Sequence, residues 1–152
     1  MKKWFKIMVA ATLALAAWSC GEPEKPAEPQ LPITSANIAG VWQLTEWQGE
    51  AVSEDMVVYI DFVNVGRTYT LYQNLDSHQL RTITGSYFIE TDAEYGAIIR
   101  GNYDYGNGDW AHRYIVTDLT ANRMVWTAKD NADDVSVYVR TELPEGFKPA
   151  EE

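Results

Sequence analysis

"VYIDFVNVGRTYTLYQ", residues 58–73, contains two runs in which apolar and polar side chains alternate, joined by Asn64-Val65-Gly66. A period of two turns one face of each run toward a core and the other toward water, and so short a link joins antiparallel neighbours. The same pattern continues in both directions. Eight runs rich in Val, Ile, Thr, Tyr and Trp are predicted as strands, at about 40–47, 56–63, 67–73, 80–89, 96–102, 110–117, 123–128 and 134–141. Gly, Asn and Asp separate them, and no apolar stripe of helical period reaches helix length. No proline occurs from Ile33 to Leu143, although prolines stand on both sides. Proline removes a ladder donor, so this interval suits a sheet with few expendable strands. Eight strands joined in sequence by hairpins predict an all-β fold, an antiparallel up-and-down barrel that closes on itself and leaves no edge. A β-sandwich would need longer crossover loops.

The ends of the chain have other tasks. Lys2, Lys3 and Lys6 precede the apolar run "IMVAATLALAA", Ile7 to Ala17, which fits a secretion signal and is too short to span a bilayer. Ser19-Cys20 resembles the end of a bacterial lipobox, with Ala17 where leucine is usual. Cys20, the only cysteine, is then the expected lipid attachment point. Cleavage after Ala14-Leu15-Ala16 is the alternative and would leave a free thiol. Pro23, Pro26, Pro29 and Pro32 recur every third residue among Glu22, Glu24, Lys25 and Glu28, a spacing that favours polyproline II. Roughly a dozen such residues reach about 40 Å at ~3.1 Å each, enough for a membrane tether. The expected organisation is a signal peptide at 1–19, a tether at 20–36, the barrel at 37–145 and a polar tail at 146–152. Loss of the signal's three lysines leaves 9 basic against 22 acidic residues, a net charge of −13. Such a charge argues against nucleic-acid partners and against electrostatic adhesion to anionic lipid. The expected membrane attachment is through the N-terminal lipid. Gly21 after the cysteine points to the bacterial outer membrane, in either leaflet.

Several motifs then acquire an order. "IAGVWQLTEW" carries Gly40-Val41-Trp42, "VTDLT" carries Thr117-Asp118, and "VSVYVRTELP" carries Arg140 near its end. Together these resemble the lipocalins: a first-strand Gly-x-Trp, a Thr-Asp-Tyr turn between strands six and seven, and a last-strand arginine. The stretch from about Ile38 to Pro144 is also similar to short lipocalin-like lipoproteins of Gram-negative bacteria. The resemblance implies that Trp42 packs at the closed base with Arg140 across it. Leu119 departs from the family's tyrosine. Neither the lid nor the C-terminal helix of larger lipocalins is expected here.

In such a barrel, alternate loops form an open mouth, here near 48–55, 74–79, 102–109 and 129–133. With Asp134 at the border they hold nine acids (Glu50, Glu54, Asp55, Asp76, Asp104, Asp109, Asp130, Asp133 and Asp134) against Lys129 alone. This field disfavours carboxylate ligands and favours neutral or cationic ones, although turns are rich in aspartate for conformational reasons too. Counting alternate positions from an inward Trp42 places Leu44 and Glu46 inside and Trp47 outside. The same count gives an apolar base and, toward the mouth, candidate ligand-binding residues Glu46, Tyr69, Gln73, Tyr103, Trp110, His112 and Trp126. An interior filled by its own Tyr and Trp side chains is the competing expectation.

Catalysis has little to stand on. The histidines are His78 and His112, and no nucleophile-elbow or phosphate-loop pattern occurs. His78 and His112 with Asp76 and Asp109 match no closed zinc motif, and neither a metal nor a cofactor is expected. Two functions remain. One is a lipid-anchored envelope protein holding a small neutral or cationic hydrophobic, aromatic or glycan ligand in the barrel mouth. The other is a non-enzymatic interaction module of an outer-membrane complex with a filled barrel, which an outward Trp47 would favour.

Overall fold

The computed structural model describes residues 26–75 and 78–147. The signal peptide, Cys20, Asp76 and residues 148–152 lie outside the described residues. Among the described residues, nine strands follow a one-turn helix, α1 (Ser35–Ile38). They are β1 (Gly40–Trp47), β2 (Glu50–Ala51), β3 (Val58–Val63), β4 (Thr68–Gln73), β5 (Arg81–Asp92), β6 (Gly96–Gly101), β7 (Tyr114–Thr117), β8 (Arg123–Ala128) and β9 (Asn131–Thr141). A 3₁₀ turn, Glu145–Phe147, follows, and Phe147 packs on Tyr59 and Tyr72 with ring centroids 5.5 and 6.0 Å away. All pairings are antiparallel; β1 pairs with β3, each later strand pairs with the next in the chain, and β9 pairs back onto β1. Eight strands therefore close the expected barrel. The ninth, β2, pairs only with the end of β1 across a Gln48-Gly49 turn. Both turn residues have positive φ (53° and 83°), the geometry of a type I′ hairpin.

Three predicted strands depart from their expected limits by three residues or more, and the one expected at 80–89 runs on to Asp92. The run expected at 110–117 enters the ladder only at Tyr114. Trp110 lies flat against Gly101, where a β-carbon would collide with its ring, and regular pairing resumes beyond that aromatic insertion. The last strand begins earlier than expected, at Asn131, because the chain turns back within Lys129-Asp130.

The base of the barrel is closed from Ile33 onward. Thr34 Oγ1 caps α1 by accepting the Asn37 N–H at 3.2 Å. The other end of so short a helix leaves carbonyls that its own turns cannot satisfy. Trp42 Nε1 donates to Ile38 O at 2.7 Å, and Arg140 donates to Asn37 O at 2.8 Å and Ala39 O at 2.6 Å. Ile38, Trp42 and Leu119 are fully buried there. Above them Phe62 meets Tyr87 edge-on at 4.8 Å, with Ile99 and Met124 filling the interior. Each such side chain contributes about 1.5–3 kcal/mol by leaving water.

The expected free tether is shorter than its composition suggested. Leu31 N–H donates to Leu119 O at 2.7 Å, Gln30 Nε2 to Asp118 Oδ1 at 3.2 Å, and Asn122 Nδ2 to Glu28 Oε1 at 2.7 Å. Residues 28–33 are thus strapped across the closed base, because Leu31 and Ile33 have apolar surface to bury there.

Candidate functional site

The end opposite that strap opens into a cavity of about 350 Å³. Its lower wall is apolar, from Leu44, Val58 and Ile60. Nearer the mouth the wall becomes aromatic and polar. Tyr114 of β7, Trp126 of β8 and Tyr138 of β9 form a continuous face, with ring centroids 5.2 Å apart for the first pair and 4.8 Å for the second. Strand alternation delivers each of them, because neighbouring strands bring every second residue to the same interior layer.

Four of the seven sequence-derived ligand candidates line this space: Gln73, Tyr103, His112 and Trp126. Gln73 is buried, and its Oε1 accepts the Leu75 N–H at 2.6 Å, which fixes the carboxamide below the mouth. Tyr69 and Trp110 lie behind the wall. The Tyr69 hydroxyl accepts from Trp110 Nε1 and donates to Asn102 O, both at 2.8 Å, locking the 102–110 loop to the barrel. Burial pushes the Tyr69 phenol up to about 12. Of that loop's other aromatics, Tyr103 faces the cavity and Tyr105 is exposed.

Glu46 corrects the strand count. The register of β1 against β9 shifts between Leu44, which faces Tyr138, and Glu46, which faces Val137. Thr45 is the additional residue of a β-bulge, and its hydroxyl reaches Val137 O at 3.3 Å. The alternation inverts at that point. Glu46 is exposed, and Trp47, expected outside, lines the mouth of the cavity while remaining 41% exposed. Trp47 Nε1 donates to Asp134 Oδ1 at 2.8 Å, tying the rim of β1 to that of β9.

Trp47, Tyr114, Asp134, Ser136 and Tyr138 line the cavity without having been among the ligand candidates. Tyr114 was legible from alternation, and Ser136 and Tyr138 follow from an inward Arg140. Trp47 carried no signal, because a bulge leaves no mark in a hydrophobic pattern.

The electrostatics of the site are one-sided. Burial pushes the Tyr114 phenol up to about 12, with the carboxylates of Asp134 and Asp130 adding to it. Burial also raises Tyr138, helped by Tyr114 and Asp134. His112 Nδ1 lies 2.8 Å from Asp130, and this hydrogen bond holds the Asp130 carboxyl below its ordinary range. Lys129, the lysine of the rim, turns outward to Asp92 at 3.1 Å and to the Tyr95 ring. Among the described residues, Trp126 Nε1 is the buried side-chain donor that has no partner. No three His, Cys, Asp or Glu side chains among the described residues gather as a metal site, and His78 is exposed.

At the base, Gly40, Trp42 and Arg140 meet as the motifs implied. The Arg140 guanidinium lies 4.2 Å from the Trp42 ring. Gly40 has φ 114°, and a β-carbon there would fall 2.6 Å from Arg140 Nη1. Thr117 ends β7, and Asp118 makes the turn at φ 51°, the left-handed region that Asp tolerates.

Residues 38–126 match the family described as lipocalin-like domain. Among solved structures, a lipocalin-like protein from Bacteroides uniformis ATCC 8492 is similar at 20% identity and a TM-score of 0.48, over 69% of this chain and 98% of that one. No curated protein matches the chain at a significant level.

Proposed function

Since the chain belongs to the lipocalin-like domain family, we propose that it is a binding protein of the bacterial envelope. In this reading it is lipid-anchored at Cys20 to the outer membrane and holds a small neutral or cationic ligand of hydrophobic, aromatic or sugar chemistry in the mouth of its barrel. The observation that carries the proposal is the cavity. About 350 Å³ of space lies within the range of small-molecule sites, about 300–1,000 Å³, and its wall combines flat aromatic faces with a few polar groups. The cavity favours this reading over a solid interior, and the exposed Trp47 is engaged with Asp134 at the rim.

Residues 28–33 cross the closed base, and in this reading a lipid at Cys20 would favour that base toward the membrane and the mouth away from it.

A thermal-shift screen of neutral and cationic metabolites and short glycans tests the proposal, because a ligand of the native state raises the melting temperature. Ser136→Phe fills the cavity from β9. A genuine ligand loses its effect on that variant, whereas shifts that persist in it would place the binding elsewhere.

A further inference from the structure

Among the described residues, one carboxylate lines the cavity, Asp134, held in place by the Trp47 indole N–H at 2.8 Å. Among the described residues, no lysine or arginine lines the cavity and none forms an ion pair with Asp134. The other ionisable pair at the wall, His112 and Asp130, is matched within itself at 2.8 Å. The rim lysine is committed to Asp92 on the outer surface. A guest in this space therefore meets a fixed negative group and five aromatic residues, Trp47, Tyr103, Tyr114, Trp126 and Tyr138. Aromatic faces carry negative potential and attract cations, most strongly where water is excluded. A carboxylate ligand would face Asp134 with no lysine or arginine to offset it, while an organic ammonium would gain from Asp134 and the ring faces together.

Building on the proposed binding function, we infer that the barrel selects an organic cation, an aromatic or alkyl ammonium whose charged nitrogen sits between Asp134 and the Tyr114–Trp126–Tyr138 wall. The surrounding acids, Asp104, Asp109 and Asp133, are exposed and add a field that concentrates cations at the mouth without taking part in the contact. The charge selects the ligand, and the apolar lower wall takes its uncharged end.

The test compares phenyltrimethylammonium with its uncharged isostere tert-butylbenzene and with the anion benzenesulfonate, by calorimetric titration of the purified full chain. The expected result is binding of the ammonium at least tenfold tighter than the isostere, with benzenesulfonate weakest. Asp134→Asn keeps an oxygen for the Trp47 N–H and is expected to cut that preference at least fivefold, leaving the isostere unchanged. If that variant does not fold, salt dependence replaces it, since the affinity of the ammonium falls with added sodium chloride and that of the isostere does not. Equal affinity for the ammonium and the isostere, or a preference for the anion, overturns the cation inference and leaves the binding function standing. Failure of all three compounds to bind the cavity counts against both.

Discussion

Arg140 lies 4.2 Å over the Trp42 ring and, from the same position, donates to the carbonyls of Asn37, Ala39 and Ala121. The two residues are also partners in the ladder that closes the barrel. One side chain thus joins the last strand, the first strand, the helix end and the turn after β7. Arg140→Met keeps much of the aliphatic stem and loses every donor. It is expected to cost about 2–4 kcal/mol, because three carbonyls lose a charged partner. Gly40→Ala is expected to cost about 1–3 kcal/mol, from a positive φ and a β-carbon placed against the same guanidinium. Urea denaturation measures both, and a loss below 0.5 kcal/mol in Arg140→Met would remove the clasp from the account.

The two tryptophans with opposite hydrogen-bond status give a second prediction. Trp42 Nε1 is bonded to Ile38 O at 2.7 Å, whereas Trp126 Nε1 has no partner. Phenylalanine at either site loses similar area, but at Trp42 it also strands a buried carbonyl. Trp126 borders a cavity that already exists, so truncation there creates less new void. Trp42→Phe is expected to destabilise the ligand-free protein by about 1–2 kcal/mol more than Trp126→Phe. Equal losses in denaturant titrations would mean that the Trp126 N–H is satisfied in solution.

Much of this architecture can be read in the sequence, and the reasons are local. Alternation in 58–73 and Gly-rich links specify hairpins, and closure follows from the number of strands. Trp42 and Arg140 were recognisable because each stands at a motif position. The Thr45 bulge was not recognisable. Its cause is the pairing of β1 with β9, about ninety residues apart, and neither strand records the shift by itself. One additional residue then exchanged Glu46 for Trp47 in the site. The docked strap was hidden for a similar reason, since periodic prolines describe an isolated segment and the contacts of Leu31 depend on the finished base.

That exchange makes a test of the bulge. Trp47→Ala removes an aromatic lining residue and the Asp134 contact, and is expected to weaken a cavity ligand about tenfold, consistent with roughly 1.4 kcal/mol. Glu46→Ala truncates an exposed side chain outside the cavity lining and is expected to leave affinity within about a factor of two. Titration of both variants with the same ligand decides the matter. A larger effect at Glu46 would mean that regular alternation persists past Thr45.

Alkaline pH probes the interior independently of any ligand. Tyr69 and Tyr114 are each held near 12 by burial, against about 10 in an unfolded chain. Tyr138 is raised for the same reason. The neutral phenol is the form the folded barrel accepts. Below pH 10 both states are protonated and these groups add no pH dependence. From pH 10 to about 12 the unfolded chain releases protons that the native one retains, so stability falls as pH rises. Thermal denaturation is therefore expected to show a declining melting temperature over that window. Absorbance at 295 nm should show a second, late group of phenols ionising together with unfolding. Tyr114→Phe removes one of the groups responsible and should flatten the decline. A Tyr114→Phe protein whose melting temperature falls as steeply as that of the parent would show that this phenol is not among those held neutral by the barrel.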